Sequence, residues 1–177
     1  MNSPTHIVSG LLLGQAALAA WERARQRPVR AGEKAALAVP VFVVAAFAHL
    51  GLDAIPHWFW VGHLGGAVGL PAEWLWRAGL AGLLCLLPVW AAVRREWLFF
   101  GACAAGGLFP DLEKAAYFLH LWPRELVLFP SHSTAVSNHT GGLPMWALVT
   151  IEVILVCAMI GAVRALHRAR LARREPG

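Results

Sequence analysis

The segment His49-Leu50-Gly51-Leu52-Asp53-Ala54-Ile55-Pro56-His57 sets two imidazoles and a carboxylate at four-residue steps. On a helix such steps place side chains on one face, pointing the same way. Pro56 ends or kinks the helix, which turns His57 toward a centre held by His49 and Asp53 instead of stacking it one turn further out. The surroundings are apolar, and an ionised Asp near a bilayer is costly unless it is paired or bound to a cation. Imidazole and carboxylate together suit zinc first among the divalent metals, with manganese or iron as alternatives. A competing account is that His and Trp favour membrane interfaces, where Trp58, Trp60, Trp74, Trp76 and Trp122 also fall.

Three more pieces carry residues of the same chemistry. Thr5-His6 opens the first apolar run, Phe109-Pro110-Asp111-Leu112-Glu113 closes the fourth, and Ser131-His132-Ser133 with Asn138-His139-Thr140 precedes the fifth. The expected metal ligands are therefore His6, His49, Asp53, His57, Asp111, His132 and His139, with Asp53 and Glu113 as the catalytic carboxylates. Seven ligands exceed what one tetrahedral zinc can use, so either two metals share the site or some residues orient others and carry protons. His63 and His120 have no carboxylate at helical spacing and are read as interfacial residues. Cys85, Cys103 and Cys157 stand singly inside apolar runs, without CxxC spacing, and are read as packing residues.

These residues need elements to hold them, and the composition says what kind. Of 177 residues, 58% are hydrophobic and 14% charged, and the apolar residues run continuously instead of alternating with polar ones. The solvent is a bilayer, and the expected fold is all-α: a single transmembrane domain spanning residues 1–177, built of about five membrane-crossing helices over 5 to 21, 35 to 53, 73 to 93, 97 to 113 and 143 to 163. A crossing needs about 20 residues, so the first and fourth runs are short. Twelve of the fifteen basic residues lie between runs one and two, between three and four, or after five; Arg77, Lys114 and Arg124 are the others. By the positive-inside rule the first group is cytoplasmic, which puts the amino terminus outside, the basic carboxy-terminal tail inside, and every histidine but His167 on the outer side. The basic blocks read as topology signals, not as nucleic-acid contacts. A cleavable signal peptide over residues 1 to 20 is the rival reading, but no Lys or Arg precedes the run while five follow it.

At Thr5-His6-Ile7-Val8-Ser9-Gly10, Pro110-Asp111-Leu112-Glu113 and Ser131-His132-Ser133 the chain resembles the YdjM-type inner-membrane metal-dependent hydrolases. With the hydrophobic framework these motifs cover most of the chain. The family pattern has a second Asp followed by His after the Pro-Asp pair, where this chain has Glu113 and Lys114. A fainter resemblance, through His6 followed by His49, Asp53 and His57, is to the zinc-dependent phospholipase C and single-strand nuclease superfamily, and it implies phosphoester hydrolysis by clustered zinc. The expected function is thus a membrane-embedded, metal-dependent hydrolase at the outer membrane-water boundary, acting on a phosphate ester of a lipid or amphiphile. Arg124 and Lys114 are expected in the nearby outer loop, where each is placed to bind an anionic group or to snorkel at the interface. The alternative is a transport or metal-handling protein using the same ligands; Glu152, near the middle of run five, speaks for it, since an ionisable group there often marks an ion pathway.

Overall fold

The computed structural model describes residues 3–55, 94–130 and 143–173. Four α-helices account for most of them: α1 Ser3–Arg25, α2 Ala31–Asp53, α3 Trp97–Phe118 and α4 Met145–Ala172, with no strand among the described residues. Leu and Ala dominate α1, which ends at Gln26 in the left-handed region (φ 53) two residues before Pro28. α2 starts on a capping contact, the Arg30 amide donating to Glu33 at 2.9 Å, while Arg27 forks onto the same carboxylate at 2.5 and 2.9 Å. It stops at Asp53, three residues short of Pro56, as the residue-before-proline restriction favours. α3 ends in a Schellman motif: His120, at φ 57, donates its amide to Tyr117 and Leu121 donates to Ala116.

The helices outrun the apolar stretches that announced them. α1 continues to Arg25 and α4 to Ala172, because a helix carries on through charged residues as readily as through apolar ones. α3 passes Asp111 and Glu113 and reaches Phe118, so these acids sit inside the helix and not in a loop after it. Among the described residues two helices, Ala31–Asp53 and Trp146–Ala172, are long and apolar enough to cross a membrane; the expected crossings over 5 to 21 and 97 to 113 form the helices α1 and α3, which are not. The expected third crossing, 73 to 93, lies outside the described residues.

α1 is the central helix, packed against α2, α3 and α4, and α2 lies against α3. The core joins Leu11, Leu18, Val41, Phe99, Phe100, Cys103 and Val163. Backbones meet closely at two points on α1: a Cβ on Gly10 would collide with the Cys103 carbonyl, and a Cβ on Gly107 with the carbonyl of His6. Small residues that let helices approach in this way are a membrane-bundle device. The outward faces are apolar: Val39 is 66% exposed, Phe47 61%, Trp146 73% and Ile154 60%.

Direction alternates through the bundle. The start of α1, the end of α2, the end of α3 and the start of α4 share one end, which carries the histidines and acids described next. Arg23, Arg25, Arg27, Arg30, Lys34, Arg94, Arg168, Arg170 and Arg173 belong to the other.

Candidate metal site

Three helices bring side chains of four expected ligands together. His6 Nε2 lies 3.2 Å from Asp53 Oδ1, His49 Nε2 lies 3.1 Å from Asp53 Oδ2, and Asp111 Oδ1 is 3.6 Å from His49 Nε2. One ligand atom from each of His6, His49 and Asp53 falls within 4.8 Å of the others. The imidazoles are stacked, with centroids 3.6 Å apart at 21°, and both are fully buried. His49 and Asp53 face the same way because they are one helical turn apart; His6 joins from the first turn of α1, and Asp111 from α3.

The hydrogen bonding of His49 fixes its chemistry. Its Nδ1 lies 2.7 Å from the carbonyl oxygen of Gly107, an atom that only accepts, so Nδ1 carries the proton and donates it there. In the neutral ring Nε2 is then a lone pair, aimed at carboxylate oxygens of Asp53 and Asp111. Acceptors facing acceptors at these distances need a cation between them, either a proton or a metal ion. The 3.1 and 3.2 Å separations are close to the ~3.3 Å between neighbouring ligand atoms around a tetrahedral zinc with bonds of about 2 Å. The residues present therefore fit a divalent metal, with the protein carbonyl behind His49 playing the orienting part usual for metal-bound histidine.

The same glycine serves the other imidazole. Gly107, lacking a side chain, lets the His6 carbonyl lie against α3, and that carbonyl also accepts the Ser9 hydroxyl at 2.8 Å. The motif Gly10-Leu11-Leu12-Leu13-Gly14, with Cys103 and Gly107 four apart opposite it, is the sequence signal that would have foretold this contact.

Glu113 is placed differently from Asp111. Its buried carboxylate accepts the amides of Leu128 and Phe129 at 2.6 and 2.9 Å, folding the segment after α3 back over the helix, where Phe129 meets Phe109 and Phe47 edge-on. His57, His132 and His139 lie outside the described residues, as do His63, Cys85 and Arg77. His120 is exposed and serves the end of α3; Cys103 is buried in the core, while Cys157 is exposed. Lys114, one turn on from Asp111, is within electrostatic reach of Asp111 and Asp53. Glu152, buried, accepts the Thr5 hydroxyl at 2.8 Å.

At the opposite end, sequence reading found only topology signals, yet a buried polar network lies there. Arg170, 2% exposed, forks onto Glu22 at 3.0 Å, reaches Gln15 at 2.8 Å and Glu96 at 3.1 Å; Lys34 meets Glu96 at 2.6 Å, and His167 lies 3.4 Å from Gln15. Burial alone would push the Glu96 carboxyl up, but the bonds from Lys34 and Arg170 outweigh it and hold the group below the ordinary range. Comparison with protein-family models, curated proteins and solved structures gives no match for this chain.

Proposed function

We propose that the protein is a multi-pass, five-crossing protein of the plasma (inner) membrane that uses a divalent metal, zinc foremost, to hydrolyse a phosphate ester of a lipid or amphiphile at the outer boundary. The observation that carries this reading is the convergence of His6, His49, Asp53 and Asp111 from three helices, at the bundle end away from the arginines. Only 22% of each long apolar span is buried within the protein, which favours a lipid-facing helix over a soluble core helix. The chain leaves α2 at the ligand end and enters α3 at the arginine end, as an intervening crossing by residues 73 to 93 requires. The arginine end is cytoplasmic under the positive-inside rule, which sets the site outside. His57, His132 and His139 belong to stretches that join described residues at the ligand end, and they are the further ligands of this proposal.

A divalent ion held by His6, His49, Asp53 and Asp111 would supply positive charge against phosphoryl oxygens and acidify water. The protein's own groups do the rest. Asp53 sets one oxygen on each imidazole and fixes both rings. Lys114 adds a cation beside the acids, which suits a phosphate headgroup. Glu113 holds the segment leading to Ser131-His132 against α3.

The test is metal analysis of the purified protein followed by hydrolysis assays on phosphate mono- and diesters carrying an acyl or alkyl chain. About one or two equivalents of zinc, with chelator-sensitive phosphate-ester cleavage, are expected from the coordination chemistry. Protein that remains metal-free after reconstitution sinks the reading; metal without hydrolysis moves it to ion handling.

A further inference from the structure

We infer that Glu152 is a positioning residue of this site, acting through Thr5 to hold His6 in place against His49 and Asp53. The inference rests on the metal reading and deepens it by bringing in a helix that contributes no ligand to the described cluster. Thr5 is fully buried and precedes His6 in the chain; its hydroxyl donates to Glu152 Oε1 at 2.8 Å, across 147 residues of sequence.

His6 needs such a tie. It lies near the start of the described part of α1, where fewer turns of helix hold the backbone than further along. Its carbonyl accepts the Ser9 hydroxyl within α1 and lies against Gly107, and the second of these contacts locates the backbone from the α3 side. The bond from Thr5 locates the same turn from the α4 side. With both in place the first turn is gripped between two helices, and the stacked position over His49 follows.

Glu152 is also poorly placed for an ion pathway. Between it and His167, α4 reads Val153-Ile154-Leu155-Val156-Cys157-Ala158-Met159-Ile160-Gly161-Ala162-Val163-Arg164-Ala165-Leu166. The buried positions of that stretch, Val156 and Val163, are apolar, and Arg164 and Cys157 are exposed. The acid thus has a polar neighbour at the ligand end and an apolar stripe below it. An acid within an apolar helix marks function by default, and one neighbour of this acid is the residue beside a candidate ligand.

The test uses full-length protein in detergent, titrated with cobalt(II) and read by the visible absorption of the bound ion, with melting temperature recorded for each variant. Thr5→Val and Glu152→Leu should each weaken cobalt binding roughly tenfold or more, the range seen when residues behind metal ligands are removed. The double variant should be no weaker than the worse single one, because both break one bond. Thr5→Ser and Glu152→Gln, which keep a hydroxyl donor and an oxygen acceptor, should stay within about threefold of wild type on the same scale. If Glu152→Gln is as damaging as Glu152→Leu, the charge matters and not the bond, and the inference falls; additive losses overturn it too. Should Glu152→Leu fail to fold, Thr5→Val against Thr5→Ser decides. Cobalt binding in wild type that Thr5→Val and Glu152→Leu leave unchanged overturns this inference alone. No binding in wild type, or binding indifferent to Asp53→Asn, overturns the metal reading and this inference with it.

Discussion

The two nitrogens of His49 divide the labour of the site: Nδ1 is committed to the Gly107 carbonyl, and Nε2 is left to face the carboxylates of Asp53 and Asp111. Removing the acid removes what fixes both rings. In Asp53→Asn, metal content should fall to background while the protein still inserts, because size is kept and charge is lost. Glu113→Ala should behave oppositely, keeping its metal but losing about 1–3 kcal/mol of stability as two amides lose their acceptor. Metal analysis and thermal melts of the two variants side by side separate these outcomes; metal loss in Glu113→Ala would return that residue to the site. The His49-Asp53 pair was legible from its spacing. So, in principle, was the separation of Asp111 from Glu113, since residues two apart on a helix point about 200° from each other and cannot both face one centre. The Thr5–Glu152 bond was not legible, because nothing local says which of four helices packs where.

At the scale of the elements, the apolar runs 5 to 21, 35 to 53, 97 to 113 and 143 to 163 each announce a helix, but helix ends could not be read from them. Asp111 and Glu113 looked like the close of a helix because the apolar run stops there; the backbone continues to Phe118 because local hydrogen bonding, not hydropathy, ends a helix. The close contact of α1 with α3 is written in Gly10-Leu11-Leu12-Leu13-Gly14, a pattern that shows its meaning only once the partner helix is known. Two glycines of α3 test what it does. Gly101 has open space around it, and Gly101→Ala should gain about 0.5–1 kcal/mol from helix propensity. Gly107→Ala should cost at least about 1–3 kcal/mol through overpacking against the His6 carbonyl, and should lower metal affinity by moving α1. Equal melting temperatures for the two variants would mean that α1 and α3 are not in backbone contact.

Among the described residues, charged and imidazole side chains gather near the two ends of α1, about 24 Å apart from His6 to Glu22 at 1.5 Å per residue, with the buried Gln15 between them. The meeting of His49 with Asp53 was foreseen from their spacing. The Arg170 network was not, because a topology rule treats every arginine as a solvated charge, and this one is 2% exposed among Gln15, Glu22 and Glu96. Its acid sensitivity has a definite sign. Glu96 is held below its ordinary range when folded, so its contribution is present above the unfolded value of about 4.3 and is lost as pH falls through the folded one. Wild type should therefore melt above Glu96→Gln near neutral pH, and the gap should close on acidification. A gap independent of pH between 7 and 3 would show that the carboxylate's charge plays no part there.

Because the acceptor for His49 lies 58 residues further along the chain and the partner of Thr5 lies 147 further, the order of synthesis has a bearing on when the site exists. A chain that emerges amino terminus first presents His6, His49 and Asp53 before Gly107 or Glu152 has been made. At that stage the imidazoles have neither a fixed tautomer nor a fixed position. Under the proposed function, firm metal capture is thereby deferred until α3 and α4 have docked.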